Sequence, residues 1–238
     1  MTDSRNILLT GSSSGIGYCI TQTLLSQSHK ITGLCRRAEQ TQFDLPGYQG
    51  IDIDLANIKT LAKSIKQIAK DTGPYNTIIC NAGSGHFGSL EQFSAQQIEQ
   101  QIQLNLISPI LIIRELIPQL KQNGGGDIII IGSESALKGG RYGSIYSASK
   151  AGLRGFAQAL KEECANAAIR VTLINPGMVD SAFFDKLTFK PGNDASNSIE
   201  AQHIADTISL VLNTAATTVF DEINLSPLKK VVQAKAKE

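Results

Sequence analysis

Tyr146 and Lys150 stand four residues apart in Tyr146-Ser147-Ala148-Ser149-Lys150, so a helical segment puts a phenol and an ammonium on one face. A free phenol holds its proton up to about pH 10, and a nearby cation favours the phenolate, which brings a proton donor toward working pH. Ser133 precedes the tyrosine by 13 residues and follows the apolar run 128–131, where a parallel sheet delivers side chains at its carboxyl edge. Its hydroxyl can polarise a carbonyl. Asn105 is a polar residue in the apolar stretch Leu104-Asn105-Leu106. Either it is a core amide with its hydrogen bonds paired, or it holds a water in a proton relay.

A second set of residues suits phosphate. Thr10-Gly11-Ser12-Ser13-Ser14-Gly15-Ile16-Gly17 follows an apolar run and opens a helical pattern. Glycines permit a tight turn and close backbone approach, and a helix N-terminus offers free N–H groups to a pyrophosphate. No Gly-Lys-Ser/Thr is present, which disfavours a P-loop NTPase. After the second apolar run come Arg36 and Arg37, where a carboxylate would bind a ribose 2′-hydroxyl and an arginine a 2′-phosphate. The expected cofactor is NADP(H), with NAD(H) the alternative.

The elements that must position these groups follow from the patterning. Apolar runs at 6–9, 31–35, 50–53, 77–81, 127–132, 170–175 and 219–225 alternate with helical patterns at 16–25, 55–69, 95–120, 147–164 and 201–212. Ile128-Ile129-Ile130-Ile131 is continuous rather than alternating, as in strands covered on both faces. The expected fold is α/β, a Rossmann-like doubly wound parallel sheet of about seven strands with helices on both faces. Ser94 and Gln97 form a capping-box pattern, and Pro109 and Pro118 are expected to kink or stop the 95–120 helix.

The chain has 238 residues with 22 Lys+Arg against 21 Asp+Glu, a net charge of +1. That balance argues against a nucleic-acid or membrane-surface partner. No run reaches the roughly 18 apolar residues of a membrane span, and the start of the chain has no signal-peptide pattern. Cys19, Cys35, Cys80 and Cys164 are widely spaced, which points to reduced thiols in a cytoplasmic protein. His29, His86 and His203 are too scattered for a metal, and none is expected. One domain spanning 1–238 is expected, with its core at 5–225. Residues 181–199 read as a substrate lid, and the lysine-bearing segment from 229 as a solvated, frayed end.

The motifs at 10–17, Asn81-Ala82-Gly83, Asn105, Ser133, Tyr146-x-x-x-Lys150 and Pro176-Gly177 occur in the order and spacing of the short-chain dehydrogenase/reductase superfamily, which residues 5–225 resemble. The resemblance implies hydride transfer between a nicotinamide cofactor and a carbonyl or alcohol, with Tyr146 as general acid/base. Lys150 would lower the tyrosine pKa and bind the nicotinamide ribose, Ser133 would orient the carbonyl, and Asn105 would hold a relay water. Gly11, Ser13, Ser14, Gly15, Ile16 and Gly17 would line the pyrophosphate, and Arg36 and Arg37 the adenosine phosphate. Asp54 and Leu55 would lie beside the adenine, and Asn81, Ala82 and Gly83 under the adenosine ribose. Pro176, Gly177, Val179 and Ser181 would bracket the nicotinamide.

His86, Phe183 and Phe184 are candidate substrate contacts, with Phe189 nearby. Cys80 stands where the family has asparagine, and Ser181 where it has threonine. The Asp-Gly-Gly signature common near the family's C-terminus is absent, which favours a general carbonyl or hydroxy-acid enzyme over a ketoacyl reductase. A homodimer or homotetramer acting on a small molecule is expected. The alternatives are a silent NAD(P)-binding sensor of the same fold and a reductase of another small-molecule class.

Overall fold

The computed structural model describes residues 4–41, 43 and 45–235. In chain order the elements are β1 (Asn6–Thr10), α1 (Gly15–Ser26), β2 (Lys30–Cys35), β3 (Tyr48–Asp52), α2 (Ile58–Thr72), β4 (Thr77–Cys80), α3 (Ala95–Ile102), α4 (Ser108–Gln122), β5 (Gly126–Ile131), α5 (Ser144–Cys164), β6 (Ile169–Pro176), β7 (Val179–Asp180), β8 (Phe189–Pro191), β9 (Ile199–Glu200), α6 (Ala201–Asn213), β10 (Glu222–Leu225) and β11 (Val232–Ala234). Seven of the strands form one sheet in the order β10-β6-β5-β4-β1-β2-β3, all pairs parallel. This is the expected doubly wound Rossmann-like sheet, and its order reverses between β1 and β4.

The continuous apolar runs are explained by burial on both sides. Ile128 and Ile130 pack with Leu8, Ile78, Leu61, Ile65, Ile112, Leu116 and Leu153 on the face covered by α2, α4 and α5. Ile129 and Ile131 face the other way, against Ile7, Leu9, Ile20, Leu24, Ile204 and Ile208, under α1 and α6. Successive side chains of a strand alternate faces, so a strand between two helical layers needs an apolar residue at every position. Each side chain so buried contributes roughly 1.5–3 kcal/mol.

At the opposite edge from the phosphate loop, Asp127 is buried and bridged by two arginines. Arg5 Nη1 lies 2.6 Å from Oδ2, and Arg170 Nε lies 2.6 Å from Oδ1. Arg170 also donates to the carbonyls of Thr214, Ala215 and Thr218. That holds 214–218 as a turn, so the last sheet strand begins at Glu222 rather than at 219 as expected. β3 starts two residues earlier than expected, and Asn81 lies just past β4.

The pattern at 95–120 is one rod of three parts. The Ser94 capping box opens α3, with Gln97 N–H donating to Ser94 Oγ and Ser94 N–H to Gln97 Oε1. A π-helical turn follows at Gln103–Ile107, and α4 continues to Gln122. The interruption therefore precedes Pro109, and Pro118 does not end the helix. Having no N–H, Pro109 leaves the Asn105 carbonyl without its i+4 donor.

The segment from 229 is exposed through Ala234, as expected of a solvated end, but 229–235 is bonded rather than frayed, and 236–238 lie outside the described residues. β11 pairs antiparallel with β8, and Lys229 and Val231 bond the 181–199 lid through their backbones. Strand backbone groups need partners, and residues 181–199 supply them, together with two carbonyls for the Lys235 ammonium. No helix among the described residues is long and apolar enough to cross a membrane. Cys35, Cys80 and Cys164 are buried free thiols, and Cys19 is half-buried. Burial pushes Cys80 up to about 12.

Candidate active site

The carboxyl ends of β1, β4, β5 and β6 bring the expected residues to one edge. At the switch point, Thr10 Oγ1 accepts the backbone N–H groups of Asn81 and Ala82, each at 3.0 Å. Asn81 Nδ2 returns to the carbonyls of Thr10 and Gly11 at 3.1 and 3.2 Å. The first glycine loop is thus tied to the turn after β4.

The loop itself suits a pyrophosphate. Gly11 has φ +71°, a left-handed conformation that favours glycine, and a Cβ on Gly17 would fall 1.9 Å from the Gly11 carbonyl oxygen. Ser13 is half-buried and Ser14 exposed. Ser14 caps α1 with no side-chain hydrogen bond. Helix N–H groups near it thus lack a side-chain acceptor, as an anion site requires. Gly15 and Ile16 open α1, and Gly15 faces Ser181, whose Cβ would lie 3.3 Å from a Cβ added to the glycine.

Arg36 and Arg37 lie exposed after β2. The turn that carries them is held by Asp52, whose carboxylate accepts the Ala38 N–H at 2.5 Å. Asp54 is exposed and accepts from the Ala56 N–H, while Leu55 is buried beside it.

Tyr146, Lys150 and Ser133 come together. α5 begins at Ser144, three residues before the expected start, so Tyr146 sits in its first turn and Lys150 one turn on. The Ser133 hydroxyl, which accepts the Ser135 N–H at 3.1 Å, is near enough to the phenol to pull its pKa down. Lys150 Nζ lies 5.9 Å from the Tyr146 ring centroid and donates to the Ile131 carbonyl at 2.9 Å. A Cβ on Gly83 would lie 3.3 Å from Asn105 Oδ1 and 3.6 Å from Lys150 Nζ.

The electrostatics differ from the expectation that Lys150 lowers the tyrosine. Burial pushes the Tyr146 phenol up, the Ser133 hydroxyl pulls it back, and the Glu134 charge pushes it further up. Burial also pushes Lys150 down to about 8. Both groups share one dry pocket, and low dielectric disfavours each charged form.

The Asn105 side chain is fully engaged. Oδ1 accepts the Ser84 N–H at 3.0 Å, and Nδ2 donates to the Ser84 carbonyl at 2.8 Å and to Ser149 Oγ at 3.2 Å. Ser149 Oγ in turn donates to the Tyr146 carbonyl at 2.7 Å. The side chain therefore braces the loop against α5.

Of the substrate candidates, Phe183 reaches the tyrosine, with ring centroids 6.0 Å apart. Phe184 packs behind Phe183 at 5.3 Å. His86 is exposed and lines an outer cavity of about 250 Å³ with Phe87, Phe93 and Lys186. Pro176 and Val179 are buried, and Gly177 N–H donates to the Leu225 carbonyl at 2.7 Å.

Three contributors escaped sequence reasoning. Phe87 packs at a tilt against Tyr146, with ring centroids 5.2 Å apart. Its only signal was its place beside His86 in the loop after Asn81-Ala82-Gly83. Asn175 Oδ1 accepts the Ser133 N–H at 3.2 Å. Glu134, adjacent to Ser133, pairs with Lys230.

The chain is similar to known proteins in sequence and fold. A model of the short chain dehydrogenase family matches residues 5–191. A 3-ketodihydrosphingosine reductase of Bacteroides thetaiotaomicron is 30% identical over 179 residues, 75% of this chain and 65% of that protein. Carbonyl reductase family member 4 of Danio rerio is 31% identical over 181 residues, 74% of this chain and 76% of that protein. A solved alcohol dehydrogenase from the archaeon Thermococcus sibiricus, complexed with 5-hydroxy-NADP, shares the fold with a TM-score of 0.85 at 20% identity, over 96% of this chain and 99% of that one. With its glycine loop, switch-point asparagine and serine–tyrosine–lysine group at one sheet edge, the chain belongs to the short-chain dehydrogenase/reductase superfamily of oxidoreductases.

Proposed function

We propose that this protein interconverts a carbonyl and an alcohol with NADP(H), using Tyr146 as general acid/base. The observation that carries this reading is the meeting of three buried side chains, with the Ser133 hydroxyl acting on the Tyr146 phenol and Lys150 one turn away. Two hydroxyls at one point can both donate to a carbonyl oxygen, which stabilises the charge that develops there. NADPH, when bound, supplies the hydride.

The Tyr146 phenol, held protonated by burial, gives its proton to the alkoxide oxygen. Lys150 donates toward the ribose. The Asn105 carbonyl, without an i+4 donor, accepts from a water that restores the proton through Lys150. Gly11 to Gly17 hold the pyrophosphate. Asp54, Leu55, Asn81, Ala82 and Gly83 line the adenosine half, and Pro176, Gly177, Val179 and Ser181 the nicotinamide half.

The exposed Arg36 and Arg37 support NADP(H) over NAD(H), because a guanidinium pairs with a phosphate and gains little from a hydroxyl pair. Relatives named as reductases support the direction of chemistry. A single domain over the whole chain, assembled as a homodimer or homotetramer, completes the reading.

Replacing Tyr146 with Phe removes the proton donor and keeps the ring. Turnover of a carbonyl panel should fall by orders of magnitude while NADPH binding by fluorescence stays intact. An active Tyr146→Phe enzyme rejects the assignment. A wild-type protein that binds NADPH yet oxidises it with no carbonyl favours the silent-sensor alternative.

A further inference from the structure

We propose that the segment after β10, residues 227–235, is a strap that fixes an aromatic wall over Tyr146, with Lys235 as its positioning residue, so that the site takes carbonyl compounds bearing an apolar substituent. The substrate half of this inference rests on the oxidoreductase reading above.

The strap is bonded to the lid along its length. Lys235 Nζ donates to the carbonyls of Phe184 and Asp185 at 2.6 and 2.9 Å, and its N–H to the Thr188 carbonyl at 2.8 Å. Val232, Gln233 and Ala234 pair with Pro191, Lys190 and Phe189. Further back, Gly192 N–H donates to the Val231 carbonyl, Lys229 N–H to the Ser196 carbonyl, and Asn197 Nδ2 to the Lys229 carbonyl. Lys230 pairs with Glu134, which ties the strap to the end of β5.

The lid so held presents phenylalanines to the tyrosine. Phe183 lies 6.0 Å from the Tyr146 ring, and Phe87 lies 5.2 Å from it. Phe189 contacts Phe87 at 5.1 Å and Phe184 at 5.9 Å, which closes a circuit of rings. A Cβ on Gly85 would come within 2.5 Å of Phe87 and 2.6 Å of Phe183, so these two rings converge at that point. Such a wall rewards apolar surface and leaves a polyhydroxylated substrate without partners.

The strap is poorly suited to a role in global stability. Val231 and Val232 are exposed, and β11 buries no side chain of its own. Apart from the Lys230–Glu134 pair and the Asn197 side chain on the Lys229 carbonyl, its bonds run from backbone and the Lys235 ammonium to lid backbone, so their loss acts on the lid. Lys235 is the one side chain in it that grips two consecutive lid carbonyls through charge-assisted hydrogen bonds.

The test combines a measurement without turnover and one with it, on the full chain. Lys235→Met keeps the stem and removes the donor; Lys235→Arg restores a donor. Hydrogen exchange of the 183–192 amides should speed up about tenfold in Lys235→Met, the scale of one lost charge-assisted bond, and return toward wild type in Lys235→Arg. The KM for an aryl alkyl ketone should rise by about the same factor, with kcat, NADPH affinity and the KM for hydroxyacetone unchanged. Unaltered exchange in Lys235→Met overturns the strap. Faster exchange with an unmoved aryl-ketone KM overturns the wall and its substrate class. A wild-type protein that reduces neither ketone rejects the oxidoreductase reading and the substrate class, while exchange still decides whether the strap holds the lid.

Discussion

Asn175 holds Ser133 by its backbone: Oδ1 accepts the serine N–H at 3.2 Å, while Nδ2 donates to Glu222 Oε1 at 2.7 Å and Asn224 Oδ1 at 3.0 Å. Arg154 anchors the far side of Glu222 at 2.9 and 3.0 Å. The serine is thus set by a polar chain that runs from α5 through β10 and β6 to β5.

Asn175→Leu should therefore act on chemistry and stability together. It leaves the buried Ser133 N–H unpaired, at a cost of about 1–3 kcal/mol in urea unfolding. The freed serine should lower kcat roughly tenfold, because misplacing one oxyanion donor weakens transition-state stabilisation. NADPH affinity should hold, and an unaltered kcat refutes the positioning role.

Lys150 carries a pH signature. Its ammonium is disfavoured in the folded state, where burial brings the group down to about 8, against 10.5 when exposed. The folded protein therefore loses its lysine proton before the unfolded chain does, and stability gained from deprotonation grows as pH rises from about 8 to 10.5. Lys150→Met should raise the thermal midpoint at pH 7, and that advantage should shrink by pH 10, although the variant is inactive. An equal difference at both pH values contradicts the buried-cation account.

The tyrosine gives the opposite handle on activity. Because burial raises the phenol, kcat/KM for alcohol oxidation should climb with pH well above neutrality, and carbonyl reduction should fall over the same range. Glu134→Gln removes a charge that raises the phenol, so the oxidation profile should shift toward lower pH. Matched profiles of the two proteins decide this point.

Arg36→Ala and Arg37→Ala should each raise the NADPH Kd by roughly 10- to 100-fold, the scale of a lost hydrogen bond to a charged group, with NADH binding unchanged. Fluorescence titration with both cofactors is sufficient. A wild-type preference for NADH rejects the phosphate assignment.

Asp127 makes a prediction far from the site. Asp127→Ala leaves the half-buried Arg5 and the buried Arg170 without their shared carboxylate. The loss should be about 3–5 kcal/mol in denaturant unfolding. A loss below 1 kcal/mol would show that solvent reaches both guanidiniums.

Much of this arrangement was legible in the residues because it is local. Four isoleucines in a row required a strand covered twice, and Tyr146 with Lys150 required only one helical turn. What stayed hidden depends on partners distant in sequence. Val232–Ala234 is too short and polar to announce a strand, and becomes one only because the lid offers an edge at Phe189–Pro191. Lys230 and Lys235 read as solvated charges until Glu134 and the lid carbonyls are brought to them. Asn105 was recognisable as either a paired core amide or a water-holding residue, but its side-chain partners Ser84 and Ser149 were not.

The π-helical turn at Gln103–Ile107 works as a phase shifter. An α-helix advances 100° per residue, so a one-residue bulge rotates everything beyond it by about that angle relative to what came before. Before the bulge, Gln101 Oε1 faces the His86 N–H at 2.8 Å; beyond it, Ile112, Ile113 and Leu116 face the sheet. The two halves of the rod can thus be registered separately, one to the loop that borders the tyrosine and one to the core. Substitutions that reshape the loop can then accumulate in α3 without turning the α4 side chains out of the sheet, which decouples change of substrate from loss of fold.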